Sequence, residues 1–168
     1  MKIFAVTTIA LFAMAQKTPV PTEPQIAGIV ISANSESVEN AVIAREKAKN
    51  TEVKMYALTV INEHRAANKA AGELAESLKI SPEENETTRT IKQSTQKTRF
   101  KLKRLTGAAF DKAYINGEVE LHQMMLDLID QSLIPSAKNP DLKWLLKNDR
   151  PLVEAHLERA KELQSKLK

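Results

Sequence analysis

The sequence predicts an all-α protein: an antiparallel four-helix bundle with a long connection between its second and third main helices. Three observations predict it. Hydrophobic residues make up 42% of the chain but aromatic ones only 4%, and glycine occurs four times. That balance favours helices packed through Ala and Leu over sheets, which draw on β-branched and aromatic residues. Apolar residues recur at a spacing of three and four along four long stretches, and no stretch alternates apolar with polar residues as a half-buried strand does. At 168 residues the chain is long enough to bury the core of one domain.

The first fifteen residues read as a secretory signal. Lys2 supplies the charged start, Ile3 to Met14 the apolar stretch, and Ala13-Met14-Ala15 the small-x-small cleavage pattern, which places the mature start at Gln16. The stretch is too short to span a bilayer, and no second long apolar run follows, so the mature chain is expected to be periplasmic or secreted with no transmembrane segment. Loss of Lys2 takes the net charge from +4 to +3, too mild to argue for nucleic acid. The absence of cysteine excludes disulfides, thiolate metal sites, a cysteine nucleophile and a lipidated cysteine. Residues 16–24, with Pro19, Pro21 and Pro24, read as a linker, and residues 25–168 as the bundle domain.

The first main helix is expected from Pro24 to Lys49, with a buried stripe of Ile26, Val30, Ala33, Ala41, Ala44 and Ala48. The second is expected from Thr51 to Leu78, on Val53, Tyr56, Val60, His64, Ala67, Ala71, Leu74 and Leu78. Ser81-Pro82-Glu83-Glu84 reads as a fresh helix start, and Thr87 to Arg104 as a polar surface helix or partly ordered crossover. Thr106-Gly107 opens the third main helix, expected from Ala108 to Leu133 with Phe110, Tyr114, Leu121, Met124, Met125 and Leu128 inward and Pro135 as its stop. The fourth runs from Pro140 to Leu167 on a wide face of Leu142, Leu145, Leu146, Leu152, Val153, Leu157, Ala160, Leu163 and Leu167, with Pro151 expected to kink or split it.

The chain has three histidines, His64, His122 and His156. Each falls on or beside the apolar stripe of a different helix, close to its middle. At ~1.5 Å rise per residue, all three rings are predicted within about 5 Å of one bundle layer. Glu118 precedes His122 by four and shares its helix face. Three imidazoles and a carboxylate suit a divalent transition metal, Zn, Mn, Fe, Cu or Ni. The same layer also fits a structural polar band or a pH-sensing cluster. Met124 and Met125 beside His122 read as core filler before haem ligands. The first helix offers Asn34 and Ser37 near its stripe, with Glu36 and Glu39 further round.

A di-iron centre of the ferritin type uses Glu-x-x-His on two helices. The residues three before the histidines are Ile61, Val119 and Val153, which argues against such a centre. No nucleophile elbow supports a hydrolase, and no catalytic set emerges. Arg89, Lys92, Lys97, Arg99, Lys101, Lys103 and Arg104 run without an acid from Thr87 through Phe110. They read either as a solvated helix face or as a contact for an anionic envelope surface. Phe100, the one aromatic among these cations, is too little for nucleic-acid stacking.

Asn50-Thr51-Glu52-Val53-Lys54-Met55-Tyr56-Ala57 followed by Glu63-His64-Arg65-Ala66-Ala67-Asn68 resembles the N-x-x-V-K-x-[FY]-A … D-H-x-x-x-N signature of exported bacterial proteins in the domain of unknown function 4142 family. Gly107-Ala108-Ala109-Phe110-Asp111-Lys112-Ala113-Tyr114 with His122 resembles its second block, and Pro151-Leu152-Val153-Glu154-Ala155-His156-Leu157 with Ala160 its last. The resemblance implies a ferritin-like helical bundle, export beyond the inner membrane and no established activity. The family's three block histidines match His64, His122 and His156. Many members carry an acid in the first helix near Ser37, where this chain has only Glu36 and Glu39 close by. Two functions are therefore expected. One is a periplasmic metal-binding bundle, with Glu118 as fourth ligand or as orienter of a histidine. The other is a non-enzymatic envelope-interaction or stress-response protein whose histidine layer is structural.

Overall fold

The computed structural model describes residues 20–167, so the proposed signal and cleavage site lie outside the described residues. All regular structure among them is helical: α1 (Glu23–Lys47), α2 (Thr51–Ser77), α3 (Glu86–Arg104), α4 (Gly107–Leu128), a π turn (Ile129–Leu133), the single turn α5 (Ile134–Ser136) and α6 (Pro140–Lys166). No helix among them is long and apolar enough to cross a membrane.

The helices start where side chains satisfy their first free N–H groups. Thr22 and Gln25 form a reciprocal capping box at α1, with Pro24 in its first turn rather than in a linker. Asn50 accepts from the amides of Glu52 and Val53 at α2, and Asn139 from those of Asp141 and Leu142 at α6. The tight turn between α1 and α2 is held by buried Asp111 of α4, whose carboxylate accepts from the amides of Lys49 at 3.0 Å and Asn50 at 2.8 Å. Gly107 opens α4 at φ +61°, a conformation glycine adopts without strain.

α1, α2, α6 and α4 contact one another in a closed ring, and α3 lies across the seam between α1 and α4. The long connection expected between the second and third main helices is therefore itself a packed helix, a fifth long one. Its Thr88, Ile91, Thr95 and Leu102 are buried. It begins at Asn85, which shares a capping box with Thr88; the helix start expected at Ser81–Glu84 is instead an irregular link. That link folds back onto α1. The Glu83 amide donates to the Pro24 carbonyl at 2.9 Å, and the Glu83 carbonyl oxygen would lie 2.1 Å from a Cβ built on Gly28. Gly28→Ala should therefore destabilise the fold by about 1–3 kcal/mol, the usual cost of overpacking. Chemical denaturation checks this, and an unchanged midpoint would contradict it.

Two prolines act differently from expectation. Pro135 does not stop the third main helix. The chain passes through a π turn, closed by the Ile134 amide on the Ile129 carbonyl, into α5; the wider turn gives the pyrrolidine ring room against the preceding turn. Pro151 does not split α6, because it lies on the exposed face, where water can serve the carbonyl that loses its partner.

The core forms two apolar clusters. One gathers Ile26, Ile29, Ile91, Leu121, Met125, Ile129, Leu133, Leu146 and Val153. The other gathers Val53, Tyr56, Val60, Ile61, Leu102, Phe110, Tyr114, Ile115, Ala160 and Leu163. Between them lies a band of buried polar side chains that includes Asn34, Ser37, His64, Glu118, His122 and His156.

Candidate metal centre

His64 projects from α2, His122 from α4 and His156 from α6, each from a stripe that runs from one apolar cluster into the other. All three are at most 4% exposed. His64 Nε2 stands 3.2 Å from His122 Nε2 and 3.1 Å from His156 Nδ1. The ring centroids are 5.0 to 5.4 Å apart, and one nitrogen of each ring falls within 4.8 Å of the other two. Metal–nitrogen bonds near 2.1 Å impose mutual nitrogen separations of about 3.0–3.4 Å in octahedral and tetrahedral sites. The two contacts of His64 lie in that range.

The outer nitrogens are each held. His64 Nδ1 meets Asn34 Oδ1 at 2.8 Å, His122 Nδ1 meets the Glu118 carbonyl oxygen at 2.9 Å, and His156 Nε2 meets Glu63 Oε2 at 2.6 Å. A backbone carbonyl and a carboxylate only accept, so His122 and His156 carry their hydrogens outward and, while neutral, turn bare lone pairs inward. Asn34 as placed also accepts, leaving its own buried Nδ2 without a partner. With that amide turned over, His64 could donate inward to one neighbour but not to both. At least one inward lone pair is thus left facing nitrogen with no hydrogen between them. A cation at the centre removes that repulsion. Protonation is disfavoured: burial, then the neighbouring imidazoles, hold His64 well below its usual range. Burial, with His156 beside it, takes His122 down to about 4. Burial also lowers His156, against the opposing pull of Glu63.

Glu118 does not join the cluster. Its Oε2 lies 3.6 Å from His122 Nδ1, the outer nitrogen, so the carboxyl backs His122 rather than completing the ring. Fully buried, it is pushed up to about 8 by loss of hydration, with the Tyr56 hydroxyl 3.4 Å away pulling the other way. The nearby Tyr114 hydroxyl is buried without a partner. Ser37 lines a cavity of about 30 Å³ beside His64, with Asn34 and Asp149; burial raises Asp149 to about 6. Glu36 turns toward α3, where it meets Thr95 Oγ1 at 2.7 Å and Arg99 at 2.5 Å, while Glu39 meets Arg99 at 2.8 Å. The helix-α1 acids thus face away from the histidines.

That pairing also alters the basic run. Arg99 is drawn inward, Lys92 pairs with Glu84 and Arg89 with Glu86, so Lys97, Lys101, Lys103 and Arg104 make up its exposed remainder, with Arg104 stacked over Phe100. Glu63 was missed by sequence reasoning. It adjoins His64 in the chain but serves His156, because consecutive residues of a helix point to different neighbours.

Fold and site together define an all-helical protein with a buried ring of three histidines, each steadied from outside. The chain belongs to the domain of unknown function 4142 (DUF4142) family, whose model matches residues 10–163. No curated protein matches it. Among solved structures it is similar to a DUF305 protein from Streptomyces coelicolor, described as secreted, at 14% identity over 84% of this chain and 91% of that one, with a TM-score of 0.72. At that identity the likeness is one of fold alone.

Proposed function

We propose that this is an exported helical bundle that binds one divalent transition-metal ion, drawn from Zn, Mn, Fe, Cu and Ni. In this reading the frame is the antiparallel four-helix bundle of α1, α2, α4 and α6, flanked by α3. The ligand atoms are His64 Nε2, His122 Nε2 and His156 Nδ1. The Glu118 carbonyl and Glu63 fix the tautomers of His122 and His156, and the Asn34 amide with its oxygen toward His64 would do the same there, as partners of metal-bound histidines generally do. The observation that carries the reading is the inward convergence of these three nitrogens, with the hydrogens of His122 and His156 committed outward. The Glu63 carboxylate behind His156 would offset part of the ion's charge, and the Glu118 carboxyl stands behind His122. Export rests on the N-terminal sequence and accords with the described secretion of the structural relative.

Elemental analysis of the purified chain, dialysed against each metal and then against buffer, should return one ion per chain for at least one of them. None retained from any metal would leave the histidines as a structural polar layer.

A further inference from the structure

The proposed ion would sit in the middle of a closed bundle, and a cation needs a way in. Two of the three rings are anchored to groups deep in the protein. His64 is tied to Asn34, itself buried, and His122 to a backbone carbonyl of its own helix. Only His156 is anchored to a partner that reaches solvent: the Glu63 side chain is 46% exposed. Between α2 and α6, over this pair, opens a surface cleft of about 360 Å³ whose wall includes Glu52, Met55, Glu63, Ala155, His156 and Arg159. Glu52 is already engaged by Arg159 at 2.9 Å and Lys166 at 3.2 Å. Glu63 accepts a hydrogen bond from the neutral His156 ring, so its carboxylate is the anionic group directly between solvent and the triad.

We infer that divalent cations load the triad through this cleft, with Glu63 as the first ligand and the His156 ring as the gate. The inference rests on the metal-binding reading of the triad. Glu63 receives the hydrated ion at the surface and draws it against His156. The imidazole swings outward, takes the ion, and carries it back to His64 and His122, after which its Nε2–H returns to Glu63. A carboxylate suits the first step because divalent ions exchange water for oxygen ligands readily and carry the charge that a half-exposed anion attracts. No ligand from α2 or α4 has to move, which spares the two anchors buried in the core. The competing route is the small cavity beside His64, where Asp149 is half-buried; it is narrower and mostly apolar.

Stopped-flow measurement with Co2+ as the probe, followed by its visible absorption, tests the route. Ala155→Trp places an indole over the cleft without replacing a ligand. A blocked route slows binding and release by one common factor, so association and dissociation should both fall about tenfold while the dissociation constant stays within about twofold. Glu63→Gln keeps an acceptor for His156 Nε2 but loses the charge. It should slow association several-fold at low salt, with the difference shrinking as ionic strength rises. If Glu63 only steadies His156, that variant would instead speed release with association unchanged, and the route would be overturned. It would equally be overturned if Ala155→Trp behaved as the native chain, or if Asp149→Asn slowed loading while both cleft variants did not. Co2+ that binds at equilibrium with native rates in the cleft variants removes the route and leaves the metal reading standing; no Co2+ binding at all also overturns the route, while the metal reading stands or falls with the dialysis against the five metals.

Discussion

Saturating Zn2+ should raise the melting temperature of the metal-stripped chain by about 8–16 °C. An ion present at a thousand times its dissociation constant, and with no affinity for the unfolded chain, adds about 4 kcal/mol, and each kcal/mol moves a domain of this size by about 2–4 °C. The effect should vanish in His122→Ala, which removes one ligand of three. Removing that side chain also affects the apo protein, but in two opposing ways. It leaves a hole in a fully buried site, at a cost of a few kcal/mol, and it relieves the repulsion among inward lone pairs that the native apo triad carries. The apo variant should therefore melt close to the native apo chain. Scanning calorimetry with Zn2+ and with chelator checks both arms. A metal-dependent shift that survives in His122→Ala, or no shift in the native chain with any of the five metals, would contradict the tri-histidine site.

The second large effect is on pH. Imidazole takes up a proton near 6.5 in the unfolded chain, but folded His122 does so only near 4. Between those values the unfolded state binds more protons, so stability falls as pH falls through the window. For His122 alone the loss is on the order of 3 kcal/mol, and His64 and His156 act in the same direction. Glu118 works the other way. A carboxyl that ionises near 4.5 when unfolded and about 8 when buried keeps its proton in the folded state. It therefore costs stability as pH rises between those values. Three histidines outweigh one glutamate below 6.5, so the metal-free protein should be most stable near pH 6.5 and lose stability on both sides. Glu118→Gln, which cannot ionise, should flatten the slope between 6.5 and 8 and leave the acid side steep. Urea midpoints at pH 4.5, 6.5 and 8 measure this; an alkaline slope unchanged in Glu118→Gln would mean that the buried carboxyl ionises with little penalty.

The convergence of the three imidazoles was legible because each lies on the apolar stripe of a long helix near its middle, and a position near the middle is insensitive to whether neighbouring helices run up or down. Which nitrogen faces in was not legible. It depends on Asn34, Glu63 and the Glu118 carbonyl, and two of these come from other helices than the ring they hold. Glu118 shares a face with His122, but helical side chains lean toward the N-terminus, so the i, i+4 spacing brings its carboxyl to the outer nitrogen. α3 was legible as a surface helix or crossover, but its packing was hidden by its composition. Two of its four buried positions are threonines, and their hydroxyls are satisfied locally or by Glu36, contacts that no periodicity of apolar residues can report. The inward turn of Arg99 was hidden for the same reason: its partners are about sixty positions away in the chain.

The polar band also divides the molecule mechanically. In the metal-free chain, the apolar cluster around Phe110 and Tyr114 and the one around Ile29 and Leu146 meet across this polar layer rather than directly. Each half should then open by itself, and amide hydrogen exchange should resolve two cooperative units within what the chain's length suggests is one. An ion bonded to α2, α4 and α6 at once acts as a rivet through that layer. It would merge the two units, so that the slowest-exchanging amides of both halves report a single opening of the whole fold.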